Sequence, residues 1–83
     1  MKRLIYFSSP WCGPCKAVSP VISAAQERHP GVEFIRVDVS QDQVTPAKYQ
    51  IQSVPSVIIE ENGRVLEFRQ MVTPQWIDEK LGE

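Results

Sequence analysis

No apolar run in this 83-residue sequence exceeds the four residues Leu4–Phe7, and the next, Val57–Ile59, is shorter still. A membrane-spanning helix needs about 20 apolar residues, so no membrane association is expected. The basic start Met1-Lys2-Arg3 lacks the longer apolar segment of a signal peptide, which points to the cytoplasm. An excess of one charge is also missing: nine Lys and Arg against ten Asp and Glu leave −1. With no basic face, phosphate-driven nucleic-acid binding has no footing. Metal ligands are scarce. A structural zinc needs four, and beside two cysteines the only other soft ligand is His29, about 20 Å away along a straight helix, so no metal is expected. Gly/Ser-rich tracts, repeats and linkers are absent, which makes residues 1–83 a single domain. A chain of this size buries roughly 60% of its unfolded surface, so the core is real and the stability margin thin.

What is present begins with Cys12 and Cys15. A structural bridge stabilises most when it closes a long loop, and a pair three residues apart closes almost none. In the cytoplasm thiols are normally kept reduced. Both facts favour chemistry over stapling.

Leu4–Phe7 suits a strand covered on both faces. From Cys12 onward, Cys15, Val18, Val21, Ile22 and Ala25 recur at three and four and mark one face of a helix. Pro14 is tolerated in a first turn, Pro20 predicts a kink, and His29-Pro30-Gly31 stops the helix. Val32–Val39 reads as a second strand and Thr45-Pro46 as the start of a short helix. Asn62-Gly63 joins strands 56–60 and 65–68 in a hairpin. Thr73-Pro74 opens a last helix with Trp76, Ile77 and Leu81 on one stripe. The expected fold is α/β: a four-stranded mixed sheet, in the order β-α-β-α-β-β-α, with helices on both faces.

Only a thiolate attacks a disulfide, so a useful cysteine must ionise near neutral pH. The strand–break–helix pattern places Cys12 at a helix N-terminus, where unpaired N–H groups and the helix dipole stabilise a negative sulfur. Cys15, one turn on, faces the same way and can resolve the mixed disulfide that Cys12 forms. Gly13 permits the tight turn, Pro14 fixes one dihedral, and Lys16 adds a nearby positive charge.

Trp11-Cys12-Gly13-Pro14-Cys15-Lys16 resembles the active-site hexapeptide of thioredoxins. Pro20 falls where that family has its kinking proline, and Val54-Pro55 is similar to its Ile/Val–cis-Pro step. Ala47-Lys48-Tyr49 before Ile51, the Asn62-Gly63 hairpin and the closing helix follow in family order. The resemblance implies a thioredoxin-like fold and a monomeric protein-disulfide reductase needing no cofactor beyond a redox-active Cys12–Cys15 disulfide. It implies a role in electron transport and cell redox homeostasis, with protein disulfides as substrates and a flavin-dependent thioredoxin reductase as electron donor. It casts Cys12 as the attacking thiol and Cys15 as the resolving one. Trp11, Gly13, Pro14, Val54, Pro55 and Met71 form the substrate groove, a cis Pro55 presenting the Val54 backbone to an incoming peptide.

Three departures stand against that pattern. Only eleven residues precede Cys12, so the family's usual first strand and helix have no expected counterpart. Tyr6 occupies the place of a buried acid, leaving proton transfer at Cys15 to water, to Tyr6 or to another group such as Asp38, although a solvated Asp38 fits the rarity of buried carboxylates better. Ser8 stands for a tryptophan and Met71 for a glycine, which suggests a shifted substrate range. Two other functions stay open at this stage. One is a glutathione-dependent, glutaredoxin-like reductase, for which Gln70-Met71-Val72-Thr73 lacks the usual Gly-Gly. The other is a binding module that uses the same surface without turnover.

Overall fold

The computed structural model describes residues 1–82, and Glu83, the last residue of the expected domain, lies outside the described residues. Seven elements follow one another: β1 (Lys2–Ser8), α1 (Cys15–Arg28), β2 (Glu33–Asp38), α2 (Val44–Lys48), β3 (Ser56–Glu61), β4 (Arg64–Arg69) and α3 (Pro74–Leu81). This is the expected order. The four strands form one sheet in the order β2-β1-β3-β4, with β1 parallel to β2 and antiparallel to β3.

β1 is the central strand because both its faces find cover. Leu4 and Tyr6 pack with Val18, Ile22 and Ala25 of α1, Val57 and Ile59 of β3, and Trp76, Ile77 and Leu81 of α3. Ile5 and Phe7 join Val37 and Ile58 on the opposite face, with Tyr49, Ile51 and Val54 against them. The run without alternation at positions 4–7 is what a two-sided core requires. Asn62 and Gly63 both take positive φ, 55° and 83°, which matches the twist of the β3–β4 hairpin.

Two helix starts differ from expectation. α1 begins at Cys15, not Cys12, with Pro14 at the cap position. Residues 9–14 turn first, closed by Cys12 N–H donating to the Ser9 carbonyl at 3.2 Å. The proline-bearing turn therefore precedes the helix it was expected to begin. α2 starts at Val44, and Thr45 lies inside it. Asp42 does the capping instead, its Oδ1 accepting from Val44 and Thr45 N–H at 3.0 and 3.1 Å and its Oδ2 from the Thr45 hydroxyl at 2.7 Å. α3 starts as expected: Thr73 Oγ1 accepts from Trp76 N–H at 3.1 Å. α1 continues through Pro20, whose ring is exposed and whose missing N–H leaves the Lys16 carbonyl without its helical donor.

Candidate active site

The register brings the candidate residues to one end of the sheet. β1 runs into the turn that carries Trp11 and Cys12. Ser56, the first residue of β3, pairs with Phe7 near the end of β1, so Pro55 sits beside the start of that turn. Arg69, the last residue of β4, pairs with Val57, which carries Met71 to the same end. A hydrogen bond from the Gln70 amide to the Ser53 hydroxyl ties the segment before Met71 to the loop before Pro55.

Cys12 and Cys15 are joined by a disulfide, with Cα atoms 5.2 Å apart. Their surroundings differ. Cys12 is partly exposed, whereas Cys15, on the inner stripe of α1, is 5% exposed. Cys12 Sγ accepts from Cys15 N–H at 3.1 Å, the first amide of α1. The sulfur thus stands in front of the helix rather than at its first position, and it takes up one of the donors that a helix start leaves unpaired. α1 has no acidic residue in its first turn to oppose a negative sulfur.

Around the pair, Trp11 is 82% exposed and packs on nothing that would mark it as core. Gly13 and Pro14 are exposed, Val54 half-buried and Pro55 buried. The Val54–Pro55 peptide is cis, as the resemblance implied. Met71 is 55% exposed and adds apolar surface at that end. Trp76, by contrast, is core, with the Arg69 guanidinium over its ring at 5.3 Å.

Tyr6 lies at the bottom of the site. It is 1% exposed, and its hydroxyl donates to the Cys15 carbonyl at 3.1 Å. Burial pushes its ionisation above the ordinary phenol value, against a smaller opposing pull from Arg36 and Ser8, so it stays neutral near neutral pH. Asp38 is not a buried acid at the pair: its Oδ1 accepts from the Ser40 N–H and hydroxyl at 2.9 and 2.6 Å.

Sequence reasoning gave Arg36, an exposed residue of β2, no role at the site. Its side chain crosses from β2 to α1, donating to Ser23 Oγ at 2.7 Å and Ser19 Oγ at 3.4 Å, with its Cζ 5.7 Å from the Tyr6 ring centre. The alternation that puts Phe34 and Arg36 on one face of β2, together with serines four apart on α1, was the available signal. His29, expected only as a helix end, is buried there and meets Asp78 Oδ1 of α3 at 2.7 Å. That carboxylate is held below its usual range by His29 first and by Arg28 second.

Among known proteins, the family model described as Thioredoxin matches residues 1–80. The thioredoxin of Haemophilus influenzae is 36% identical over 64 residues, 76% of this chain and 60% of that protein. The thioredoxin of Bacillus subtilis is 37% identical over 62 residues, 74% of this chain and 60% of that protein. The chain thus spans 60% of the length of these relatives. Among solved structures, Fasciola hepatica thioredoxin superposes with a TM-score of 0.87 at 27% identity, covering 98% of this chain and 78% of that one. Oxidised mitochondrial thioredoxin 3 of Saccharomyces cerevisiae gives a TM-score of 0.85 at 22% identity, covering 98% and 76%, a likeness of fold.

Proposed function

The chain belongs to the thioredoxin family, and from that premise we propose that it reduces disulfide bonds in other proteins through a reversible Cys12–Cys15 dithiol. The observation that carries this reading is the asymmetry of the pair: one sulfur reachable and facing a helix-start amide at 3.1 Å, the other 5% exposed behind it.

Roles follow from that asymmetry. Cys12, as thiolate, attacks one sulfur of a substrate disulfide. The substrate S–S bond breaks, a Cys12–substrate S–S bond forms, and the departing substrate thiolate takes a proton from water. Cys15 then gives up its proton and attacks Cys12 Sγ, which breaks the mixed bond and releases the second substrate thiol. Two electrons pass from the protein to the substrate, and the protein ends as the disulfide described above. Burial shields Cys15 from outside disulfides while leaving it within reach of Cys12. The Cys15 N–H supports the Cys12 sulfur while it is the attacking thiolate.

Trp11, Gly13 and Pro14 would line one side of the bound peptide, and Val54, Pro55 and Met71 the other. Exposed apolar side chains at Trp11 and Met71 suit contact with an unfolded or extended substrate. Two electrons must be returned for a second turnover, and a thioredoxin reductase is the proposed donor. We place the protein in the cytoplasm, as a monomer, where thiols are kept reduced.

Reduction of insulin with dithiothreitol or a reductase as electron source tests this. The native protein is expected to catalyse it, and Cys12→Ser to abolish it. A native protein without activity, or a Cys12→Ser variant that retains it, would contradict the reading.

A further inference from the structure

A hollow of about 240 Å3 opens beside the disulfide, walled by Tyr6, Ser8, Ser9, Cys12, Lys16 and Ser19 among others. It has room for several water molecules or one small side chain. Its lining includes three serines, one lysine and no acidic residue.

Its charge is unbalanced. Arg28 is neutralised by Asp78, Arg3 by Glu60 and Lys80 by Glu67. Lys16 meets no carboxylate within ion-pair distance among the described residues, and neither does Arg36, a condition they share with Lys2, Lys48, Arg64 and Arg69. Arg36 adjoins the hollow twice over, through its bond to Ser19 and its place over the Tyr6 ring. The acid in register with Ser8 is Asp38, which keeps its charge but does not line the hollow and turns its Oδ1 to Ser40. Lys16 and three serines therefore wall one cavity that includes the reactive sulfur, and Arg36 stands outside that wall, bonded to Ser19. Ser8 keeps it open, because a large side chain there would fill it.

Resting on the reductase reading, we infer that the hollow is a substrate subsite for an acidic side chain within one or two residues of the substrate's reactive cysteine. One residue spans at most about 3.6 Å, so such a neighbour reaches the hollow while its cysteine is bonded to Cys12. The carboxylate accepts hydrogen bonds from the serines and faces Lys16, with Arg36 one layer behind, at Ser19. An acid beside a cysteine ordinarily hinders attack, since thiolate and carboxylate repel. Here the two cations offset that repulsion and turn it into a preference.

The test uses the pre-reduced protein and three peptide disulfides that differ only in Glu, Gln or Lys beside the reactive cysteine. Single-turnover exchange is followed at low and high salt. The Glu peptide is expected to react about three to ten times faster than the Lys peptide at low salt, as for unit charges a few ångströms apart in a solvated cavity. The preference shrinks at high salt. Within Lys16→Gln/Arg36→Gln, or within Lys16→Gln alone, the Glu-to-Lys ratio falls toward one. Because each ratio is taken within one protein, a general change in Cys12 reactivity cancels. Equal rates in the native protein, or a ratio unmoved by the substitutions, overturn the subsite and leave the reductase reading standing. No exchange with any of the three peptides sinks both.

Discussion

Tyr6 carries a hydroxyl into a layer otherwise built from hydrocarbon, and the first carbonyl of α1 is the group that satisfies it. A buried hydroxyl without a partner is costly, so this bond ties the centre of β1 to the turn that presents the cysteines. A neutral phenol that already donates to a carbonyl has little capacity to take up or release a proton near neutral pH. Solvent reaching the cysteine pair is better suited to that work. Tyr6→Phe is therefore expected to lower stability by about 1 kcal/mol in urea unfolding while changing the thiol-exchange rate little. A large loss of exchange rate with stability unchanged would assign Tyr6 to the chemistry instead. A second buried polar group, Glu60, is 2% exposed on β3 and is satisfied by Arg3 and by the Tyr49 hydroxyl at 2.9 Å. Its partners lie far from it in the sequence, so local pattern could not reveal it.

At the scale of elements, short helices depend on their caps because they have few internal bonds. Asp42 closes the five-residue α2, and its carboxyl is held below the ordinary range, first by the Thr45 hydroxyl and then by the Thr45 and Val44 amides. A depressed carboxylate contributes stability fully above its unfolded ionisation range and loses it as pH falls through the lower folded value. The native protein should thus be more stable than Asp42→Ala at neutral pH. The two should converge below about pH 4, as measured by chemical denaturation across pH. A gap that persists undiminished in acid would show that the cap acts through packing rather than charge. α1, α3 and the hairpin were legible because their signals are local: apolar spacing at three and four, Thr73-Pro74 and Asn62-Gly63. The start of α1 was misjudged since Cys12 fits the apolar stripe by spacing although Gly13-Pro14 spends those residues in a turn. Thr45-Pro46 imitated a cap that Asp42 supplies three residues earlier. The Arg36 bridge to Ser19 and Ser23 and the His29–Asp78 contact join separate elements; the first left only the trace of alternation on β2 and serine spacing on α1, and no local pattern announces the second.

The whole molecule is a sheet with a core on each face, the larger of them under α1 and α3. At this size the margin over unfolding is small, so a single cavity in the larger core is a serious loss. Ile22, fully buried on α1, is expected to cost about 2–5 kcal/mol when changed to Ala, read as a lowered denaturation midpoint. A cost under about 0.5 kcal/mol would mean that the layer is not packed as described. The function depends on this architecture in one respect above all: β1 and α1 together hold the Cys12 sulfur before a free helix amide, with Cys15 buried behind it. The direct test is the rate of iodoacetamide alkylation of Cys12 across pH in the reduced protein, resolved from Cys15 by mass. Cys12 is expected to react first and to titrate below about 8.5, the value of an ordinary cysteine thiol. Two cysteines titrating together at that ordinary value would contradict it.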